Sequence, residues 1–409
     1  MKNYKSTVLK LIFLFGIISL LGDIIYEGAR SVNGPYLQTL GASAAIVGLV
    51  AGIGEFLGYA VRLVSGYFSD KIKAYWLFTI LGYSLLLVVP LLSLTGIWQF
   101  AAIFIVLERI GKGIRSPAKD TILSHAAKQV GTGFGFAIAE FLDQIGATLG
   151  PLIFTFVFIF LSPHVESLIG YQQGYGLLWF PFVLLMLSLF TAFFMVKNPE
   201  ELETNSAEQQ NSSNLPEKLT PIFWHYAFFT FFTTLGFINF VLVGYHLKAA
   251  HIASDAVIPL LYSLAMVVDA FMGLIVGKIY DRLKTKYKNQ HSGLLVLLII
   301  PFLTLLVSLF IFSSQLYLVV VGVFLWGCVM GTHETIMKAG IADLTSIKKR
   351  GTGYGIFNTT YGFALMIGSA LAGFLYEFSI PLLIFMLVSF EIVALIIFYK
   401  MSFLQKNTK

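Results

Sequence analysis

Long apolar runs, each about as long as the ~20 residues a bilayer-crossing helix needs, alternate with short polar stretches along almost the whole chain. Twelve runs can be read. Runs 1 to 6 are centred near Ile18, Glu55, Leu85, Ile105, Gly146 and Leu185; runs 7 to 12 near Thr233, Ala265, Leu298, Val321, Phe363 and Val393. The runs are continuous and do not alternate residue by residue, which excludes a closed barrel of the outer-membrane type. In lipid, each segment must then satisfy its own backbone N–H and C=O groups, so the runs are read as helices. The expected fold is all-α integral membrane, with twelve transmembrane helices. Between runs 6 and 7 lies one long hydrophilic stretch, KNPEELETNSAEQQNSSNLPEKLT (Lys197 to Thr220), with five Glu and four Asn. It reads as a flexible cytoplasmic linker. The chain therefore divides into an N-terminal six-helix bundle (1–196), a linker (197–219) and a C-terminal six-helix bundle (220–409).

Composition removes the competing classes. Of 409 residues, 57% are hydrophobic and only 12% charged, against about 25% charged in a soluble domain. The mean hydropathy is +0.83. These values exclude disorder. The single cysteine, Cys328, excludes a disulfide scaffold and a Cys-rich zinc site. The net charge of +6 sits in short basic patches between the runs, so nucleic acid is not the expected partner. The bases instead set the orientation. With a cytoplasmic N-terminus, all but four of the 27 Lys and Arg fall in inner segments; Lys248 is outside, and Arg30, Arg62 and Arg109 lie within runs. Both termini are expected in the cytoplasm. The basic stretch Lys2 to Lys10 followed by apolar residues is similar to a secretory signal. No small-residue cleavage site closes it, and the run meets Asp23 and Glu27, so it is expected to be retained as the first helix.

The halves echo each other. The exit of run 2 reads GYFSDKIKAY (Gly66 to Tyr75) and that of run 8 reads GKIYDRLKTKY (Gly277 to Tyr287). In each, an Asp (Asp70, Asp281) stands four residues after the Gly, with a base (Lys71, Arg282) directly after it. Run 5 opens with GTGFGF (Gly131 to Phe136) and run 11 with GTGYGI (Gly351 to Ile356). Two parallel six-helix pseudo-repeats are the mark of a transporter architecture with its substrate site near mid-depth between the halves.

On these residues the chain resembles the major facilitator superfamily, over its whole length. Gly66, Asp70 and Lys71 match that family's loop signature after helix 2, while Lys73, Ala74 and Tyr75 depart from it. Arg109 and Gly113 stand in the family's R-x-x-x-G arrangement in run 4, with Lys112 where Gln is common. Gly146, Gly150 and Pro151 resemble the G-x-x-x-G-P core of a motif associated with antiporters; Phe154 and Thr155 stand where a Gly pair often follows. The resemblance implies a monomeric secondary transporter similar to the bacterial drug/proton-antiporter branch, in the inner membrane. It also implies that Asp70 latches the halves on the cytoplasmic side, with Arg115 and Lys128 as partners by topology and Asp281 as its repeat.

Gly146 and Gly150, one turn apart, let helices touch backbone to backbone, and Pro151 removes a helix hydrogen bond. The pattern serves either a kinked gating helix or ordinary close packing. A charge at mid-depth costs at least about 2.5 kcal/mol, so ionisable residues inside the runs are functional candidates. Run 1 carries Asp23, Glu27 and Arg30 on one face, with Asp23 ~20 Å along the axis from Val8. Two carboxyls one turn apart are expected to form a coupled set, and proton coupling requires a carboxyl that changes protonation during the cycle; the alternative is a fixed salt-bridge network tying run 1 to run 4. Arg109 is the expected partner of Asp23 or Glu27, and Glu108 is expected to pair locally with Lys112. Glu140 and Asp143 in run 5, Glu55 and Arg62 in run 2, and Asp269 in run 8 complete the candidates. His333 and Glu334 are expected at an inner mouth. Glu391 in run 12 is expected to be structural or lipid-facing. The acids concentrate in the first half, which is expected to hold the proton machinery. The second half is expected to supply an apolar wall from Phe237, Phe240, Tyr245, Tyr262, Phe357, Asn358 and Tyr361.

The leading expectation is proton-coupled export, by antiport, of a small amphipathic or cationic molecule. The alternatives are a proton symporter importing an anionic metabolite held by Arg30, Arg62, Arg109 and Lys112, or a lipid flippase. An enzyme is not expected: the seven His form no His-x-x-x-His pair. No G-x-x-x-x-G-K-[ST] occurs, so ATP-driven pumping is not expected either. The energy source is then the proton gradient, with no cofactor or metal, and the partners are substrate, protons and membrane lipid.

Overall fold

The computed structural model describes residues 2–127, 132–162, 165–199, 219–287, 290–346 and 349–407. Among the described residues there is no strand. The long helical segments are α1 (Lys2–Thr39), α2 (Ala44–Ile72), α3 (Tyr75–Leu94), α4 (Trp98–Ala127), α5 (Thr132–Phe156) and α6 (Ser167–Met195). They continue as α7 (Pro221–Ala249), α8 (Val257–Tyr287), α9 (Ser292–Ile311), α10 (Leu316–Leu344), α11 (Arg350–Phe378) and α12 (Ile380–Asn407). Among the described residues, eleven helices are long and apolar enough to cross a membrane by themselves. The one left out is α4, which is 30 residues long. Its interior carries Glu108, Arg109, Lys112 and Arg115, which dilute its hydropathy below that of its neighbours. Such a helix is stable in lipid only if the fold supplies partners for those charges.

The contacts form two compact units that do not follow the sequence halves. The first is Met1–Ala42, Ile53–Gln209 and Ser254–Ser263; the second is Ser43–Gly52, Gln210–Ala253 and Leu264–Lys409. The start of α2 thus packs in the second unit, where Glu377 of α11 accepts the N–H of Ala45 at 2.8 Å. The start of α8 packs in the first unit, where Ser263 donates to the Thr148 carbonyl at 2.9 Å and Thr155 to the Ala256 carbonyl at 3.0 Å.

In the first unit α1 packs along α5. A Cβ on Gly146 would collide with the backbone of Leu20, and one on Gly150 would collide with Ile24 and lie 2.8 Å from the Gly28 nitrogen. Only glycine permits this approach, which is the small-residue seam expected of lipid-embedded helices. In the second unit α7 is discontinuous. Its first piece ends at Gly236 and its second starts at Phe240. Phe237 and Asn239 between them are extended, and Asn239 caps the second piece by accepting from the Val241 N–H at 3.0 Å. The indole N–H of Trp326 donates to the Ile238 carbonyl at 2.9 Å, so the break is held from α10.

Candidate functional site

Charges that water cannot reach must be paired within the fold, and the first unit gathers them. Exposure is 7% at Glu27, 9% at Glu55, 4% at Glu108 and 5% at Arg109. Arg109 Nη1 lies 3.2 Å from Glu55 Oε1, and the same oxygen accepts from Arg30 Nη2 at 3.4 Å. Arg30 Nη1 lies 3.7 Å from Glu27 Oε2, onto which the Tyr262 hydroxyl donates at 2.5 Å. Arg109 Nε lies 3.5 Å from Glu108 Oε2. The result is one chain of contacts, Tyr262–Glu27–Arg30–Glu55–Arg109–Glu108, drawn from α8, α1, α2 and α4. The ring of Tyr26 closes one side, with Lys112 Nζ 3.5 Å and Arg109 Cζ 4.5 Å from its centroid. Both distances are in cation–π range.

Asp23 lies outside that chain of ion pairs. It is half-buried, and Asp143 of α5 is a charged neighbour of its carboxyl. Lys112 and Glu27 are its other charged neighbours. The glycine seam brings the two aspartates together, since Gly146 sits one turn beyond Asp143 and meets Leu20, one turn before Asp23. Two carboxyls thus stand near each other on the facing helices α1 and α5.

Several pairings differ from those expected from spacing. Arg109 meets Glu55 and Glu108 instead of Asp23 or Glu27, because α2 and α4 cross closely where Gly113 faces the Gly58 carbonyl. Arg30 provides the bridge to Glu27. Glu108 meets Arg109, and Lys112 turns to the Tyr26 ring; long side chains close the roughly 100° between neighbouring positions of a helix. Tyr262, expected in an apolar wall of the second half, belongs to the first unit and bonds Glu27. Glu140 is exposed, and Arg62 is half-buried with Cζ 5.1 Å from the Tyr59 ring. Asp269 is buried in the second unit. Glu391 is fully buried, so it does not face lipid.

The motif residues lie at helix ends and seams. Gly66, Asp70 and Lys71 stand at the C-terminal end of α2, and Gly277, Asp281 and Arg282 near that of α8. Asp70, Lys71, Asp281 and Arg282 are exposed. Arg115 is buried with Cζ 4.8 Å from the Tyr83 ring, and Lys128 lies outside the described residues. Gly113 accepts from Ser65 at 2.8 Å, and Pro151 follows the seam inside α5. An ion pair that spacing did not suggest joins Lys284 of α8 to Asp343 of α10 at 2.7 Å, with the Tyr280 hydroxyl on the same oxygen at 2.6 Å. Of the expected wall in the second unit, Phe237, Phe240 and Phe357 are buried, while Tyr245, Asn358 and Tyr361 are half-buried. His333 is buried with Nδ1 3.5 Å from the Tyr361 hydroxyl, and Glu334 is exposed.

The sequence model of the Major Facilitator Superfamily matches residues 12–300 and 289–407. An uncharacterized protein of Mycobacterium tuberculosis is 37% identical over 392 residues, covering 95% of this chain and 92% of its own length. An uncharacterized MFS-type transporter of Methanocaldococcus jannaschii is 28% identical over 379 residues, covering 90% of this chain and 89% of its own. Among solved structures, the nucleoside transporter NupG superposes with a TM-score of 0.74 at 12% identity, over 96% of this chain and 99% of that one. A bacterial homologue of the human lysosomal transporter Spinster, inward-facing and occupied, gives 0.67 at 13% identity over 96% of each chain. At such identities the structural likeness speaks for the fold.

Proposed function

Because the chain belongs to the Major Facilitator Superfamily, a family of multi-pass membrane transporters and not of enzymes, we propose that it exports a small molecule by alternating access in exchange for protons. The observation that carries the coupling is the glycine seam that brings Asp23 of α1 and Asp143 of α5 near each other, with Lys112 as a charged neighbour. When the pair loses its proton, two negative charges stand together, and the Lys112 ammonium is drawn from the Tyr26 ring toward them. A cationic substrate can take the same place. Proton and substrate then compete for one pair of carboxyls, and such competition is what antiport requires. The ion chain from Glu27 to Glu108 holds α1, α2 and α4 in register around the pair, while Tyr26 offers an aromatic face to an amphipathic cation.

The setting of this reading is the inner membrane of a bacterium, with both termini in the cytoplasm and one chain as the working unit. The bacterial relative at 37% identity supports that setting. The proton gradient supplies the energy, so no bound cofactor or metal is needed.

The test uses everted membrane vesicles with an imposed inside-acid gradient and a pH-sensitive dye. Cationic, neutral and anionic compounds are added in turn, beside an Asp23→Asn variant. Proton efflux triggered by cationic compounds and lost in the variant is the expected outcome. The reading fails if no compound moves protons in vesicles of verified protein content.

One observation favours a second reading, proton symport of an anionic metabolite. Lys112 is seated on an aromatic ring and makes no salt bridge among the described residues, so its ammonium can turn from the ring to an anion. Under that reading Lys112→Gln and Arg109→Gln raise the KM for anion uptake, while Asp23→Asn abolishes accumulation.

A further inference from the structure

Glu391 of α12 is 0% exposed, the most deeply buried acid among the described residues. Its Oε2 accepts from the Thr233 hydroxyl of α7 at 2.8 Å, and its Oε1 meets no hydrogen-bond donor. A Cβ on Gly236 would collide with Oε1, so the carboxyl reaches the α7 backbone where that helix breaks. The Phe237 N–H takes the Thr234 carbonyl at 3.2 Å; the last carbonyls of the piece ending at Gly236 lie past its regular helical bonds and form the negative end of its dipole. Thr234 beside it is fully buried with an unpartnered hydroxyl. The carboxylate, the Thr233 hydroxyl and a helix C-terminus thus converge, and among the described residues no base pairs with the carboxylate; one neutral donor does not offset the cost of burying that charge.

Several titratable groups on the surrounding elements have other partners. On α7, half-buried His225 lies against the Pro221 carbonyl and Tyr226 donates to the Met337 carbonyl. On α10, His333 faces Tyr361 of α11 and Asp343 holds Lys284. On α11, Tyr376 meets His246, and Glu377 takes the Ala45 N–H; Arg350 and Tyr354 stand near its start. The segment α9 carries no charged residue, with His291 just before it. On α12 itself the next charge is Lys400, more than two turns away.

We propose that Glu391, Thr233 and the broken end of α7 form a binding site for one small monovalent cation, a proton or a sodium ion. Broken helices in transporters present carbonyls to such ions, and an all-oxygen donor set suits a hard cation. The site lies in the second unit and is independent of the Asp23–Asp143 pair and of the direction of transport.

Infrared difference spectroscopy on the full chain in lipid nanodiscs tests it, in sodium-free buffer with choline as the control salt. The expected result is a protonated-carboxyl C=O band that disappears on raising pH or on adding sodium and is absent from Glu391→Gln. Loss with pH alone assigns the site to the proton; loss with sodium at constant pH assigns it to sodium. Thr233→Val should shift the band in frequency without abolishing it, which serves if Glu391→Gln does not fold. Asp23→Asn should leave it in place, which separates this proposal from the antiport reading. A band insensitive to both pH and sodium, or unchanged in Glu391→Gln and in Thr233→Val, overturns the proposal and leaves Glu391 as a hydrogen-bonded strut between helices.

Discussion

Oε1 of Glu55 serves two guanidinium groups, Arg109 at 3.2 Å and Arg30 at 3.4 Å. Glu55→Gln would leave buried Arg109 and half-buried Arg30 short of charge, and removing one partner of a buried pair costs about 3–5 kcal/mol. The expected outcome is a clearly lower unfolding temperature in nanodiscs, partly restored when Arg109→Met is added, because residues in one network do not act additively. Equal unfolding temperatures for wild type and Glu55→Gln would show that the ion chain does not hold the helices. Tyr262→Phe removes the hydroxyl donor to Glu27 and should cost about 1–3 kcal/mol by the same measurement. The acids and bases of this network are legible in the sequence, because a charge inside an apolar run stands out. Their partners are not. Spacing phases a helix against itself and says nothing of what faces it, which is why Arg109 reads as a partner of Asp23 and meets Glu55 instead. Tyr26 is invisible for another reason: in a chain that is 15% aromatic, one more ring carries no signal.

Among elements, the contact of α1 with α5 decides how near Asp23 and Asp143 stand to each other. Gly150→Val would push against the backbone at Ile24 and Gly28, and overpacking of this kind costs about 1–3 kcal/mol. It should also part Asp143 from Asp23. The expected outcome is protein present in the membrane with dye-reported proton movement lost. Retained exchange in that variant would detach the seam from the coupling. The G-x-x-x-G-P pattern announces a close helix contact without naming the partner, and the partner, α1, came only from the structure. The break in α7 has a readable signature that hydropathy hides. Gly236 followed three residues later by Asn239 is a helix stop and then an N-cap, but the apolar run continues straight through both. The opposite holds for α4, whose charges lower its hydropathy although it is as long as its neighbours.

For the whole molecule, run length alone makes the helical membrane fold legible, since lipid admits few alternatives. The grouping of contacts is not legible, because nine residues of α2 and seven of α8 pack in the unit that the linker assigns them away from. A chain cut in the linker should therefore remain functional only when both pieces are made together. Residues 1–219 alone should be cleared by membrane proteases, and co-expression with 220–409 should restore their abundance, as read by pulse-chase and immunoblot. Stable accumulation of the first piece by itself would contradict this. The bond between Glu27 and Tyr262 joins residues 235 positions apart. At about 5–20 residues per second, synthesis separates their emergence by on the order of 10–50 s. Throughout that interval α1 lies in the membrane with its acid lacking the tyrosine hydroxyl, so the order of translation gives the nascent protein a timed period of vulnerability that ends when α8 arrives.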